Sequence, residues 1–191
     1  MQRHLDLRSP FVLDTHELGR RPGSTRTMRM TVAAPTDLGT VVIAVPEGSV
    51  LECDLRLEAV TEGVLVTGSI RGQAVGECVR CLDEVTEPVD ATVSELFVYP
   101  ERAAVAAQDG DEDDDDLREL EGDFLDFEPA LRDAVVPMLP FQPVCRPDCP
   151  GLCPLCGARL ADEPGHSHET LDPRWAALGG PTRVDDETKE S

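Results

Sequence analysis

Six of the seven cysteines of this chain stand at the spacings that metal chemistry uses. Cys145, Cys149, Cys153 and Cys156 fall within twelve residues, in the run VCRPDCPGLCPLCG, and Cys78 and Cys81 lie upstream in ECVRCL. A C-x2-C pair followed by a small residue delivers two thiolates from one tight turn, half of the tetrahedron that zinc requires. Cys153-Pro154-Leu155-Cys156-Gly157 has that form. With His166 and His168 the donors number eight, enough for two tetrahedral Zn2+ sites of structural type.

Two divisions of these donors are open. In the preferred one, Cys78 and Cys81 join Cys145 and Cys149, while Cys153, Cys156, His166 and His168 form a compact local knot, with Gly157 easing the turn and residues 162–165 closing a short loop. In the other, the four C-terminal cysteines share one ion and Cys78 and Cys81 remain a free dithiol. A redox dithiol belongs at a helix N-terminus, where the dipole lowers a thiol pKa. Cys78 and Cys81 sit instead between strand patterns, which favours metal. The histidines have a plainer reading as polar loop residues. Cys53 falls on the apolar side of a strand pattern and reads as a small core residue.

The elements that must position these ligands are mostly strands. From Thr27 to Tyr99 short segments of period two alternate with Gly, Pro and Asp turns. The clearest is 51–59, where Leu51, Cys53, Leu55, Leu57 and Ala59 alternate with charged residues, predicting one buried and one wet face. A turn at 61–63 leads into a strand from Val64 to Arg71, and a further strand at 73–78 runs into the Cys78–Cys81 turn. A longer strand follows, with Val85, Val89, Ala91, Val93 and Phe97 on one side, so the first cysteine pair is expected at a hairpin tip.

Residues 124–127 read as a short strand and Pro129–Met138 as a helix with Pro129 at its first position and Leu131, Val135 and Met138 on its packed face. Pro137 and Pro140 end it and send the chain toward Cys145. Before it, residues 101–123 carry six acids in succession from Asp111 to Asp116. Such a run cannot bury enough surface to order itself. It is expected to be a disordered linker, either a solvated spacer or a docking site for a basic partner.

The expected architecture is therefore α+β. It comprises an N-terminal arm (1–26) with a short apolar stretch at Phe11-Val12-Leu13, a mainly antiparallel β region (27–100), the acidic linker (101–123), a strand and helix packed on the sheet (124–144), a zinc-binding module (145–180) and a disordered tail (181–191). Trp175 is expected to pack a short terminal helix onto the metal module.

The 191 residues carry 38 acidic against 17 basic side chains, a formal net charge of -21. That charge repels a phosphate backbone and attracts basic partners. The N-terminus lacks the apolar stretch of a signal peptide, and no run of about 18 apolar residues occurs. A soluble, cytoplasmic protein is expected, which also disfavours disulfides.

The β-rich first half, GECVRCLDEV, the acidic insertion, LPFQPVC running into CRPDCPGLCPLCGARL, and DPRWAAL together resemble the YceD family, the large ribosomal RNA subunit accumulation proteins. The resemblance runs from about Leu18 to Leu178. It implies a part in the synthesis, processing or stability of 23S ribosomal RNA. Family members are typically encoded beside a small zinc-ribbon protein of the large subunit. Where this chain has His166-Ser167-His168, family members with the full metal pattern often carry C-x-C, another zinc-ligand pair. Others keep only the hairpin C-x2-C and a Cys/His pair matching Cys145 and Cys149, which implies that those four positions share an ion.

Catalysis is not expected, because a zinc with four protein ligands has no open position for water, and neither a Ser-His-Asp ordering nor a phosphate-cradling glycine loop is present. Family and charge together imply a non-enzymatic factor supporting 23S ribosomal RNA accumulation and large-subunit assembly. It would bind a basic ribosomal protein or assembly intermediate, touching RNA indirectly or through a small patch. One alternative is a direct RNA-binding zinc protein using Arg146, Arg159, Arg174 and Arg183. The other is a thiol or zinc redox switch at Cys78 and Cys81.

Overall fold

The computed structural model describes residues 5–103 and 117–168. The chain divides into two compact units, Met1–Cys149 and Pro150–Ser191. Cys145 and Cys149 thus belong to the first unit, although the sequence expectation begins the metal module at 145.

The first unit is a mostly antiparallel sheet with few helices. Its strands are β1 (Val12–Asp14), β2 (Thr25–Ala33), β3 (Leu38–Gly39), β4 (Ile43–Val45), β5 (Val50–Ala59), β6 (Gly63–Glu77), β7 (Glu84–Val98), β8 (Arg118–Glu119) and β9 (Phe124–Asp126). The large sheet has the order β2-β5-β6-β4-β3, with β7 on the other side of β6 and β8 parallel to the end of β7. β5 follows its alternation: Leu51, Cys53, Leu55, Leu57 and Ala59 are all buried. Residues 60–62 turn it back onto β6, closed by the Val60 N–H donating to the Gly63 carbonyl.

The separate strands expected at 64–71 and 73–78 are one continuous β6 of 15 residues. Gly72 looks like a break in the sequence but lies within the strand. A Cβ there would stand 2.6 Å from Leu51 Cδ2, and one at Gly68 would stand 2.1 Å from the Asp54 carbonyl oxygen. These glycines admit close neighbours instead of ending the strand. Because β7 pairs with β6 over its whole length, β5 and β4 share the opposite edge, at residues 64–71 and 75–76 respectively.

β7 buries Val85, Val89, Ala91, Val93 and Phe97, as the pattern predicts. Its Pro88 lies where the outer edge has no partner strand among the described residues, so the missing N–H costs no ladder bond. Helix α1 (Glu128–Val135) packs on β7 through buried Ala130, Leu131 and Val135. The expected helix to Met138 ends earlier, in a 3-10 turn at Val136–Met138. That tighter turn changes the angular step per residue. Met138 is consequently 61% exposed, and Leu139 is buried instead.

The N-terminal stretch adds β1, paired with β9 as a small second sheet, and buries Phe11, Leu13 and Leu18 in the same core. The linker expected at 101–123 is too wide at both ends, where Ala103 and Leu120 are buried and β8 pairs with β7; its middle, 104–116, lies outside the described residues, as do Trp175 and the tail. Among the described residues, no helix is long and apolar enough to cross a membrane.

Candidate metal centres

The end of the β6–β7 hairpin carries the first cysteine pair. The Cys78 N–H donates to the Asp83 carbonyl and the Leu82 N–H to the Cys78 carbonyl, so Cys78–Leu82 closes as a tight turn. To close it, Leu82 adopts φ +64°. The left-handed region costs a residue with a Cβ about 1–2 kcal/mol. The second unit repeats the turn with the usual residue: the Gly157 N–H donates to the Cys153 carbonyl and Gly157 takes φ +74°.

The 3-10 turn and the prolines bring 140–149 back to this hairpin. The Val79 N–H donates to the Pro143 carbonyl, and Arg80 Nη1 donates to the carbonyls of Pro147 (3.2 Å) and Cys149 (3.0 Å). Cys78, Cys81, Cys145 and Cys149 then converge, with all four sulfurs within 4.8 Å of one another. Two pairs are tighter, Cys78 to Cys149 at 3.9 Å and Cys81 to Cys145 at 3.6 Å. A zinc–sulfur bond of about 2.3 Å puts tetrahedral sulfurs about 3.8 Å apart. The donor set therefore fits zinc in both chemistry and size. Cys78, Cys81 and Cys149 are buried, and Cys145 is exposed.

In the second unit, Cys153, Cys156, His166 and His168 converge to the same limit. Leu152 and Arg159 bridge across the turn, and the Leu160 N–H donates to the Gly151 carbonyl, making a miniature hairpin that carries both cysteines. The His166 N–H then donates to the Glu163 carbonyl, returning the histidines to it. Cys156 Sγ lies 3.2 Å from Nε2 of each imidazole, and the two Nε2 atoms are 2.9 Å apart. Both rings thus face the cysteines through the same atom. His166 Nδ1 is occupied elsewhere, 2.8 Å from Glu163 Oε2. A carboxylate on the far nitrogen of a ligating imidazole fixes its tautomer and strengthens it as a ligand.

In each set backbone N–H groups favour the thiolate of one cysteine. Cys78 is lowered to about 6, chiefly by the Cys145 backbone N–H, with further help from the N–H groups of Arg80 and Cys81. Cys153 is likewise lowered to about 6 by the N–H groups of Leu155 and Cys156. Around Cys78 the neighbours go the other way. The Asp83 backbone N–H favours the Cys81 thiolate, yet burial and the other three thiols together push it up to about 12. Burial, followed by Cys149, raises Cys145. One thiolate is stabilised and its neighbours resist ionising beside it, as crowded acids do. A divalent cation bound there would supply charge that favours the remaining thiolates.

The sequence-derived donors thus come together as two groups of four, in the grouping that joins Cys78 and Cys81 to Cys145 and Cys149. None of the seven cysteines is in a disulfide. Cys53 sits in the core, its thiol pushed up to about 11 by burial. Of the arginines considered for RNA, Arg146 Nε lies 3.5 Å from Asp148 Oδ1, and Arg174 and Arg183 lie outside the described residues. Sequence reasoning missed Glu163, Arg80 and Leu82. The i, i+3 spacing of Glu163 to His166, and Leu82 standing where the second turn has glycine, were the available signals.

Residues 66–180 match the family model described as Large ribosomal RNA subunit accumulation protein YceD. The chain is 48% identical to an uncharacterized protein of Mycobacterium tuberculosis over 177 residues, covering 93% of this chain and 83% of that one. An uncharacterized protein of Mycobacterium leprae is 42% identical, covering 93% and 79%. The uncharacterized protein YlbN of Bacillus subtilis is 28% identical over 123 residues, covering 63% and 67%. No solved structure matches.

Proposed function

The chain belongs to the YceD family, the large ribosomal RNA subunit accumulation proteins, and from that premise we propose that it is a non-enzymatic assembly factor of the large ribosomal subunit. In this reading it acts in the cytoplasm and supports 23S ribosomal RNA accumulation by binding a basic ribosomal protein or an assembly intermediate. Any contact with RNA is indirect or confined to a small patch. Two Zn2+ ions are structural, one held by Cys78, Cys81, Cys145 and Cys149, the other by Cys153, Cys156, His166 and His168.

The observation that carries the choice of partner is charge. A chain of net charge -21 would have to overcome long-range repulsion to coat RNA, whereas the same field speeds encounter with a basic protein. A structural role for the metal follows from the donor count. Four protein ligands complete a zinc tetrahedron and leave no position for a water to be activated.

The test is to purify the tagged full-length protein from cells with and without RNase, alongside measurement of 23S ribosomal RNA in a deletion strain. The expected result is reduced 23S ribosomal RNA in the deletion strain and basic large-subunit proteins that stay bound after RNase. Loss of every ribosomal protein on RNase treatment would defeat the protein-partner reading in favour of direct RNA binding.

A further inference from the structure

Beside the first cysteine turn, the surface departs from the acidic character of the rest of the chain. A groove of about 410 Å³ runs between the loop preceding β4 and the end of β6, lined by Val41, Val42, Val75, Val79 and Leu82. That volume suits a small ligand or a few inserted side chains. Val41 is fully exposed, Leu82 is 59% exposed, and Val42 and Val79 are well exposed. Four large aliphatic side chains facing water along one groove mark an interaction site, where scattered ones would not.

Leu82 sharpens the point. At φ +64° it holds a backbone conformation that glycine adopts freely, as Gly157 does in the equivalent place. Its side chain reaches none of the core. The fold of the turn therefore gains nothing from a leucine here, and the residue is explained by what it presents outward.

The rim identifies the occupant. Glu77 and Glu84 are directly opposed as cross-strand partners where β6 meets β7. Like charges so placed repel, and neither has an ion-pair partner among the described residues. A lysine or arginine laid across them relieves that repulsion, and the net charge of -21 draws such a residue in. The same acids exclude nucleic acid.

We infer that this groove is the docking site for an extended segment of a basic protein. An aliphatic or aromatic side chain of that segment inserts among Val41, Val79 and Leu82, and a lysine or arginine bridges Glu77 and Glu84. The inference rests on the proposed function, whose partner it localises.

The test uses the full-length chain and fluorescein-labelled 15-residue peptides tiled across the basic proteins of the large subunit, read by anisotropy. At least one peptide carrying both basic and large apolar residues should bind. Its affinity should fall tenfold or more in Leu82→Gly and in Val41→Ser, fall with Glu77→Gln plus Glu84→Gln, and weaken with salt. Leu82→Gly should keep its metal content and melt no lower than wild type, because glycine adopts that φ without the strain that leucine carries. This separates lost docking from lost folding. Absence of any binding peptide, or equal binding by wild type and Leu82→Gly, overturns the inference. If Leu82→Gly still retains basic ribosomal proteins after RNase, the groove is wrong while the proposed function stands. Binding of a labelled 23S ribosomal RNA fragment that is lost in Leu82→Gly would overturn both.

Discussion

The two cysteine turns are built alike and set in different surroundings. In each, the residue after the second cysteine takes a left-handed conformation and donates to the carbonyl of the first. In each, the first thiol is lowered to about 6 by backbone N–H groups: at Cys78 chiefly that of Cys145, with those of Arg80 and Cys81 behind it, and at Cys153 those of Leu155 and Cys156, two and three residues on. The Cys78–Cys81 turn, however, caps a hairpin of two 15-residue strands and meets its other candidate ligands 64 residues beyond Cys81, through Cys145. The Cys153–Cys156 turn meets its histidines 10 and 12 residues beyond Cys156, within one short loop. The same local device closes a long loop across a packed core in one place and a short local loop in the other. Chain entropy sets the consequence: a crosslink across a long loop constrains the unfolded chain more.

The largest effect should follow Cys78→Ser. It should remove one of two metal equivalents and lower the stability of the sheet unit by about 2–5 kcal/mol, the range for losing a comparable crosslink. Plasma emission spectrometry and urea titration read the two quantities. A sheet as stable as wild type would show that the first centre does not clasp 140–149 to the hairpin.

Cys156→Ser should also cost one metal equivalent, yet shift the sheet's transition by less than about 1 kcal/mol, since additivity holds between separate units. Hydrogen exchange should instead show fast amides across 151–168 alone. If exchange spreads into β6 and β7, the contrast between clasp and local knot fails.

A third comparison strips the metal with chelator under reduction and follows pH. Cys78 and Cys153 lie at about 6 in the fold against an ordinary 9. Their stabilising contribution is therefore complete above pH 9 and is lost as pH falls through about 6. Cys53, at about 11, has the opposite sign: its contribution is complete below pH 9 and lost as pH rises through 11. The ultraviolet absorbance of thiolate at pH 7 should fall by one thiolate in Cys78→Ser and in Cys153→Ser and stay unchanged in Cys53→Ser. A loss at only one of the two turns would break their likeness.

Smaller effects probe single contacts. Glu163→Gln should weaken the second centre about tenfold, the lower end for losing an outer-shell carboxylate, and leave the first unchanged in competition with a chromophoric chelator. Gly157→Leu should cost about 1–2 kcal/mol in the second unit's stability, the penalty that Leu82 already carries in the first.

Much of this was legible because periodicity and spacing are local. The burial of Leu51, Cys53, Leu55, Leu57 and Ala59 and the hairpin tip at Cys78 follow from alternation and turn residues. The helix end was misread because Pro137 does not stop the chain from turning, and only tightens it, which trades Met138 for Leu139. The continuity of β6 was misread because a strand glycine signals either a break or a close neighbour. Which one applies at Gly72 depends on Leu51 from another strand.

By itself the sequence determined the number and kind of donors, the turns that present them, the acidic field and the family, all properties of residues near one another in the chain or summed over it. Tertiary structure alone decided that Cys145 turns back to Cys78 while Cys153 does not, that Glu163 stands behind His166, and that Val41 and Leu82 share one groove beneath two opposed glutamates. Those are distances between residues far apart in the chain or across a closed loop, and only the packing of the sheet and the folding of the loops set them.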